Sequence, residues 1–380
     1  MTIRARELRS LGQSVWLDYI HRQELASGVF AAQIREQGVV GVTSNPTIFQ
    51  SALATGDSYD ASIERHLAAG HSGPELFERL EIEDIQTACD LLQQVHQESG
   101  GLDGRVSIEV SPRLAHDTPG TLEEARRLQR SVARPNVMIK VPATAAGLPA
   151  ITALTAEGVC VNVTLIFSLA RYAQVMEAWL AGLEQRAAQG QALDRIFSVA
   201  SFFVSRVDSK LDQAIDAALA ALPAGDPRRA ELDAAKGKAA IANARLAYAR
   251  FRALMGSARF AALRAAGARL QRPLWASTST KNPAYPDTLY VDQLIGADTV
   301  NTMPPQTLQA FNDHGTAQLT IENDLEVARR LFRRLPELGV PIESLIAELE
   351  GEGVVSFGKS YDALLATLES RRQSLAGRAR

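Results

Sequence analysis

Eight short apolar segments, separated by longer stretches with helical periodicity, run through the 380 residues of this chain. The segments are residues 14–18, 39–45, 105–110, 136–144, 159–164, 196–201, 273–277 and 297–302. Strands that alternate with helices predict parallel βαβ units. Eight such units close a (β/α)8 barrel, whose active site lies at the C-terminal strand ends. A doubly wound sheet is less favoured, because no glycine-rich dinucleotide motif follows the first segment.

The length of the chain predicts more than a minimal barrel, which has about 250 residues. Helical patterns fill residues of about 55–98 and 206–266, and they return from residue 304 to about 372. No linker rich in proline, glycine and serine divides the chain. We therefore expect residues 1–380 to form one α/β domain, a single (β/α)8 TIM barrel with helical insertions and C-terminal helices.

Lys140 interrupts the apolar fourth segment. Because side chains alternate across a strand, the polar residues of the first five segments can be assigned to faces. They share one face in each segment, opposite the valines, isoleucines and leucines. We expect this face to bring together Asp18, Thr43, Asn45, Ser107, Glu109, Lys140, Asn162 and Thr164.

A buried lysine has two readings. Burial disfavours the charged ammonium, which makes the neutral amine available as a nucleophile. Alternatively, the side chain extends from the strand end to solvent and keeps its charge there. The polar residues on the neighbouring segments favour the first reading.

Composition excludes several classes of function. A formal net charge of −3 and a pI near 6.1 predict neither a nucleic acid nor an anionic membrane as a partner. No apolar run is long enough to span a bilayer, and the charged N-terminus is not a secretory signal. Two cysteines, Cys89 and Cys160, predict a reducing, cytoplasmic location. The six histidines form no ligand motif, so no metal site is expected.

Five ordered motifs resemble the transaldolase family. They are residues 41–49, 108–110, 139–144, 162–168 and 276–283. The resemblance extends over every predicted strand, and the length is similar to that of the longer bacterial branch. It implies transfer of a dihydroxyacetone unit from sedoheptulose 7-phosphate or fructose 6-phosphate to an aldose phosphate, glyceraldehyde 3-phosphate or erythrose 4-phosphate. This is a step of the non-oxidative pentose phosphate pathway, and it uses no metal and no organic cofactor.

Three alternatives stay open at this point. One is an enzyme of the fructose-6-phosphate aldolase type, although such enzymes are much shorter. Another is a non-catalytic barrel that binds sugar phosphates. A lysine that binds pyridoxal phosphate is the third, and visible absorbance would reveal it. The sequence gives no prediction of oligomeric state.

The resemblance implies catalytic roles for four residues. Lys140 matches the Schiff-base lysine, and Asp18 matches the general acid/base. Glu109 and Thr164 match residues that position a water during imine formation. Each also has an ordinary structural reading: a helix cap for Asp18, an ion pair for Glu109 and a satisfied core hydroxyl for Thr164. The helical insertions are expected to close the barrel mouth partly, to protect the intermediate from water.

Substrate-binding residues follow from the same resemblance. Asn45 and Asn162, with Thr43 and Ser201 beside them, match ligands for sugar hydroxyls, although Asn45 before a proline also fits a plain turn. For the phosphate, the matching residues are Arg206, Ser277 and Lys281.

The phosphate loop carries two open points. Arg206 could instead form an ion pair with Asp208 or Asp212 on the same helix. Ser279 stands where a glycine is expected, so the conformation of this loop is not determined by the motif.

Overall fold

The predicted barrel is present in the computed structural model, which describes residues 3–378. Eight parallel strands pair in chain order and close on themselves, with β8 beside β1. Each overlaps its predicted segment, and the fold class is confirmed. The strands are β1 Gln13–Leu17, β2 Val39–Val42, β3 Arg105–Glu109, β4 Val137–Pro142, β5 Val161–Ile166, β6 Ser198–Phe203, β7 Gln271–Ala276 and β8 Thr299–Met303.

Helices connect the strands and continue beyond the last one. A 3₁₀ turn, Pro112–Leu114, follows β3. The helices are α1 Arg4–Ser10, α2 Arg22–Ser27, α3 Val29–Gln37, α4 Pro46–Ala54, α5 Asp60–Ala68, α6 Gly73–Leu91, α7 Gln93–Glu98, α8 Thr118–Val132, α9 Gly147–Glu157, α10 Leu169–Ala188, α11 Ser205–Ala221, α12 Arg228–Ala235, α13 Ala239–Met255, α14 Ala258–Ala265, α15 Leu289–Gln293, α16 Pro305–His314, α17 Leu325–Glu337 and α18 Ile342–Arg378. Among the described residues, no helix has both the length and the apolar character needed to cross a membrane.

The strand register places the polar residues at the same level of the barrel. Glu109 of β3 pairs with Lys140 of β4, and Lys140 pairs with Asn162 of β5. The predicted alternation in β5 ends at Thr164, because Leu165 adopts a positive φ of 59°. Its side chain lies near Gly353 of α18, where an added Cβ would meet Leu165 Cδ2 at 3.1 Å.

The long C-terminal helix α18 crosses the C-terminal end of the barrel. Ion pairs fix it to three basic residues, which follow β3, β5 and β6. The pairs are Arg113–Asp362 at 2.8 Å, Arg171–Glu350 at 2.7 Å, Lys210–Glu348 at 2.7 Å and Lys210–Glu352. The barrel mouth is therefore covered by a helix that is remote in sequence from the strands it covers.

Candidate active site

A cavity of about 300 Å³ opens at the C-terminal ends of the strands. Nine of the eleven predicted site residues line it: Asp18, Thr43, Asn45, Lys140, Thr164, Ser201, Arg206, Ser277 and Lys281. Glu109 and Asn162 do not, although each contacts a residue that does. Another cavity, of about 810 Å³, lies between α13 and α17 and contains none of the eleven.

Lys140 and Glu109 form a buried ion pair. Nζ of Lys140 lies 3.1 Å from Oε2 of Glu109 and donates a hydrogen bond to the carbonyl oxygen of Ser44 at 3.1 Å. The lysine is 4 % exposed and the glutamate 9 %. The ammonium lies off the hydrogen-bonding direction of Oε2, which accepts no hydrogen bond from a described residue. Burial raises the pKa of Glu109, although the charge of Lys140 opposes this.

Asp18 follows β1, and its carboxylate is held by hydroxyl groups. Thr43 Oγ1 donates to Asp18 Oδ1 at 2.7 Å, and Thr302 Oγ1 lies 2.7 Å from Thr43 Oγ1. Burial raises the pKa of Asp18, whereas Lys140, Thr43 and Lys281 lower it by smaller amounts. Asp18 does not cap the next helix, since His21 has that position at α2. A carboxyl group with a raised pKa beside a lysine is suited to accept and return a proton.

Thr164 has a buried hydroxyl with no hydrogen-bond partner among the described residues. It faces the cavity that Lys140 lines, two residues beyond Asn162 on β5. Unsatisfied buried polar atoms are rare in folded proteins, and they often bind a water or a ligand. The ordinary reading, a satisfied core hydroxyl, does not describe Thr164. Glu109 lies on the other side of the same lysine, because β3 and β5 flank β4.

The two asparagines differ in what they contact. Asn162 is fully buried, where Nδ2 donates to Ser107 Oγ at 2.9 Å and Oδ1 accepts from Ser201 Oγ at 2.7 Å. Ser201 lines the cavity, so Asn162 orients a residue that can reach a ligand. Asn45 caps α4 by accepting a hydrogen bond from the Ile48 amide at 3.0 Å. The turn reading of Asn45 is therefore confirmed, and the residue still lines the cavity.

Two cations at one side of the cavity, Arg206 and Lys281, form no ion pair within 4.0 Å with a described carboxylate, although the charges of Glu352 and Asp18 act on them at longer range. Arg206, in the first turn of α11, packs its guanidinium 5.8 Å from the Phe203 ring and 5.9 Å from the Phe357 ring. Burial lowers the pKa of Arg206, and burial together with Arg206 lowers the pKa of Lys281. Lys281 Nζ donates to Ser279 Oγ at 2.6 Å. Such a pair is stabilised when an anion binds between or beside the two groups.

The local alternative for Arg206 is wrong. Asp208 accepts hydrogen bonds from the Ala240 amide at 2.7 Å and Tyr290 Oη at 2.8 Å. Asp212 accepts from the Gly237 amide at 3.0 Å and Tyr285 Oη at 2.6 Å. Both carboxylates thus hold neighbouring elements together and leave the guanidinium available to the cavity.

Ser277 and Ser279 shape the loop after β7. Ser277 adopts a positive φ of 56°, and its Oγ lies 2.8 Å from Ser205 Oγ at the start of α11. Left-handed conformation is unfavourable for a serine, so surrounding contacts must hold it. Ser279 provides the hydroxyl that positions Lys281, a function that the expected glycine could not have.

Sequence reasoning missed three parts of the site. Phe357 of α18 lines the cavity, and its ring centroid is 5.9 Å from Lys140 Nζ. Thr302 could have been found by applying the alternation rule to the eighth segment. The carbonyl of Ser44 carries no sequence signal. Of the two helical insertions, residues 206–266 contribute Arg206 to the lining of the cavity, and residues 55–98 contribute none.

The barrel and the site together define a class of enzyme. A buried lysine lies at the mouth between the carboxylate of its ion-pair partner Glu109 and the Thr164 hydroxyl, which has no hydrogen-bond partner among the described residues. A second carboxyl group and two cations share its cavity. This is the arrangement that imine-forming aldol chemistry on a phosphorylated sugar requires. Among the described residues no group of three or more histidine, cysteine, aspartate or glutamate side chains could hold a metal ion.

Comparisons with known proteins agree with that class. A sequence model of the family described as Transaldolase/Fructose-6-phosphate aldolase matches residues 15–368. A transaldolase of Trichodesmium erythraeum is 45% identical over 371 residues, which is 97% of either chain. A transaldolase of Thermobifida fusca is 50% identical over 361 residues, 95% of this chain and 96% of the relative. The chain belongs to the transaldolase/fructose-6-phosphate aldolase family, and the predicted family and enzyme class are confirmed.

Proposed function

We propose that Lys140 forms a Schiff base with the ketose and that the protein transfers a dihydroxyacetone unit from sedoheptulose 7-phosphate or fructose 6-phosphate to an aldose phosphate. The main support is the environment of Lys140, where Glu109 Oε2 and Thr164 Oγ1 lack hydrogen-bond partners among the described residues. A water or a substrate oxygen beside Lys140 would give the Thr164 hydroxyl the partner that it lacks. A purely structural lysine would not need two unsatisfied neighbours.

Imine formation needs two proton movements at one place. Lys140 loses two N–H protons in total, and the carbonyl oxygen of the ketose leaves with them as water. Glu109, at 3.1 Å from Nζ, can accept each proton and deliver it to the departing oxygen. The Thr164 hydroxyl is placed to hold that oxygen or an intervening water. No net proton is gained or lost over the step.

Carbon–carbon cleavage then needs a base on the far side of the substrate. Asp18 lines the same cavity as Lys140, and the Lys140 charge acts on its carboxyl group. We propose that Asp18 takes the proton of the C4 hydroxyl group of the ketose as the C3–C4 bond breaks. The electron pair of that bond moves into the iminium and forms an enamine. The same carboxylic acid returns the proton when the acceptor aldehyde adds.

The phosphate groups of donor and acceptor are assigned to the cationic side of the cavity. Arg206 and Lys281 supply the charge, and Ser277 is held by Ser205 at the start of α11. Thr43, Asn45 and Ser201 line the path from there to Lys140 and are assigned to the sugar hydroxyls, with Asn162 orienting Ser201. We propose that these same residues set which phosphorylated sugars the protein prefers as donor and acceptor.

Reduction by borohydride tests the assignment. Fructose 6-phosphate is incubated with the protein, the imine is reduced, and peptides are mapped by mass spectrometry. The expected result is a reduced dihydroxyacetone adduct on Lys140 that is absent from Lys140→Met. Absence of any adduct, with phosphate-dependent binding retained, would instead identify a sugar-phosphate-binding barrel.

Transfer and simple aldol cleavage are separated by the acceptor. With erythrose 4-phosphate or glyceraldehyde 3-phosphate present, turnover of the ketose is expected to be fast, and without one it should stop after a single turnover. Release of free dihydroxyacetone at a comparable rate without acceptor would favour an aldolase. The full-length alignment with transaldolases supports the transfer reaction.

We also propose that residues 1–380 form one domain and that the protein is cytoplasmic, without a nucleic-acid partner. The closed barrel supports the first proposal, and two buried free cysteines support the second. Limited proteolysis tests the domain count: one stable fragment is expected, whereas two would contradict it.

A further inference from the structure

Glu109 separates two cavities. Its partner Lys140 lines the catalytic cavity, whereas Glu109 itself lines a second cavity of about 460 Å³ formed by α6, α8 and the 3₁₀ turn. The exposed residues Glu75 and Arg113 belong to the wall of this second cavity, which therefore opens to solvent. Water can thus reach Glu109 from a side that differs from the one lined by the sugar-binding residues.

One carboxyl group in the second cavity stands apart from the others. Glu81 of α6 is 6 % exposed and has no hydrogen bond or ion pair with any described residue. The other four acidic residues of the wall each have a partner. The partners are His71 for Glu75 at 2.8 Å, Arg127 for Glu78, the Ser111 amide for Glu124 at 2.7 Å, and Lys140 for Glu109 at 3.1 Å.

The charged groups around Glu81 are mainly acidic. Burial is the main cause that raises the pKa of Glu81 well above its usual range. Glu78 and Asp84 on α6, Glu109 on β3 and Glu124 on α8 raise it further, and Tyr361 of α18 also lines the cavity. Arg127 and Arg113 also line the cavity, but they are engaged with Glu78 and Asp362. The raised pKa favours the protonated form of Glu81, whose O–H group can then act as a hydrogen-bond donor.

Imine formation creates a need for such a group. The step releases one water beside Lys140 while the ketose occupies the catalytic cavity of about 300 Å³. The reverse step needs one water at the same place. A path behind Glu109 would let water leave and return without displacement of the sugar, and a hydrogen-bond donor in that path would orient the water toward the carboxylate.

We propose that the second cavity is the water path of the imine-forming step and that Glu81 is a positioning residue that holds this water against Glu109. The inference rests on the proposed Schiff-base function. Glu81 donates its hydrogen bond to the water, and the water donates to Glu109. Any proton that Glu81 passes along the path returns to it when the imine is complete, so the step stays balanced.

Oxygen exchange tests the proposal directly. Fructose 6-phosphate is incubated with the protein in ¹⁸O-labelled water, and label in the C2 oxygen is measured by mass spectrometry above the spontaneous rate. Transfer to erythrose 4-phosphate is measured in parallel. Glu81→Leu is expected to lower the amount of label incorporated per transfer event about tenfold. This effect is smaller than the contribution of direct proton transfer, which is about 10²- to 10⁴-fold. Label per transfer event equal to that of the wild type would overturn the proposal.

Glu81→Gln separates positioning from structure. The amide keeps a donor and the shape, so exchange should stay within about threefold of wild type, since positioned donors contribute less than direct proton transfer. The acid works while it is protonated, so wild-type exchange should fall as pH rises through the pKa of Glu81. This alkaline decline should be missing in Glu81→Gln. An identical decline in both proteins counts against Glu81.

Glu75→Gln is the matched control. Glu75 lies on the same helix and lines the same cavity, but it is exposed and already paired, so its exchange and transfer rates should equal those of wild type. The proposed Schiff-base function and the water path can be disproved separately. If wild type gives no borohydride-trapped adduct on Lys140, the proposed function is wrong, whereas an adduct with unaffected Glu81 variants removes only the water path.

Discussion

The two ends of the barrel bury different kinds of charge. At the N-terminal ends of the strands, Arg272 donates to Asp103 at 3.1 Å and to Ser14 at 2.8 Å, and both charged residues are 4 % exposed. At the C-terminal ends, the buried groups are Lys140, Glu109 and the Asp18 carboxyl. An arginine remains charged at any pH that a protein survives, whereas lysine and carboxyl groups can lose or gain a proton.

This difference explains why one end is structural and the other reactive. Nη1 of Arg272 donates to Ser14, and Nη2 donates to the Leu102 carbonyl and to Asp103. At the other end Glu109 Oε2 pairs with Lys140 at 3.1 Å but accepts no hydrogen bond from a described residue, and Thr164 Oγ1 also has no hydrogen-bond partner among them. A pair built on a permanently charged arginine specifies a geometry, whereas a lysine between titratable carboxyl groups leaves room for a proton and a substrate.

Removal of Lys140 should give the largest loss of activity with little loss of stability. Lys140→Met is expected to lower transfer by roughly 10⁶-fold, the scale for loss of a catalytic nucleophile. Glu109 already has a raised pKa, and without its partner it will be neutral instead of buried and charged. Steady-state assays and urea denaturation measure the two effects. Loss of folding in Lys140→Met would show that the Lys140–Glu109 ion pair is structural.

Removal of the Asp18 carboxylate should cost less. Asp18→Asn is expected to lower transfer by about 10²–10⁴, as for loss of general acid–base catalysis. The base acts when ionised, so wild-type activity should fall as pH decreases through the raised pKa of Asp18. A pH–rate profile measures this. The decline in activity at low pH should be absent in Asp18→Asn, while borohydride trapping at Lys140 persists. If the variant keeps this decline, the titrating group is Glu109 and not Asp18.

Substitutions at the N-terminal end of the barrel should lower stability and leave activity unchanged. Asp103→Ala leaves Arg272 buried with a charge that it cannot release, so the free energy of unfolding should fall by about 3–5 kcal/mol. Transfer by the folded fraction should be unchanged, since Asp103 is remote from the cavity residues. Chemical denaturation provides the measurement. The double variant Asp103→Ala with Arg272→Met should recover part of the loss, and equal instability of single and double variants would refute the pairing argument.

The smallest expected effect is on phosphate binding. Arg206→Met removes a charge-assisted contact of about 1.5–3 kcal/mol, so KM for fructose 6-phosphate should rise about 10- to 100-fold. Fructose, which has no phosphate, should react equally with both proteins. Arg171→Met is the matched control, because Arg171 follows the neighbouring strand but pairs with Glu350 outside the cavity. A similar rise in this control would mean that α18, and not the phosphate contact, sets KM.

The strands and the polar face could be predicted because both depend on local patterns. Apolar runs bounded by polar residues gave eight strands, and the period of two placed Lys140, Glu109, Asn162 and Thr164 on one face. The same rule failed at Leu165, where a positive φ breaks the alternation. Leu165 lies next to Gly353 of α18, nearly 190 residues away in the chain, and no local pattern predicts that contact.

The sequence by itself therefore determined the barrel, the family and the inward polar face, since strand periodicity and motif order are local properties. Only the tertiary structure decided which of those groups are satisfied. The helices outside the strands complete the site. Phe357 of α18 lies near Arg206 and lines the catalytic cavity, and Glu81 of α6 lines the second cavity together with Glu109. Hydrogen bonding and burial arise between elements, and no local pattern encodes which contact will be left unmade.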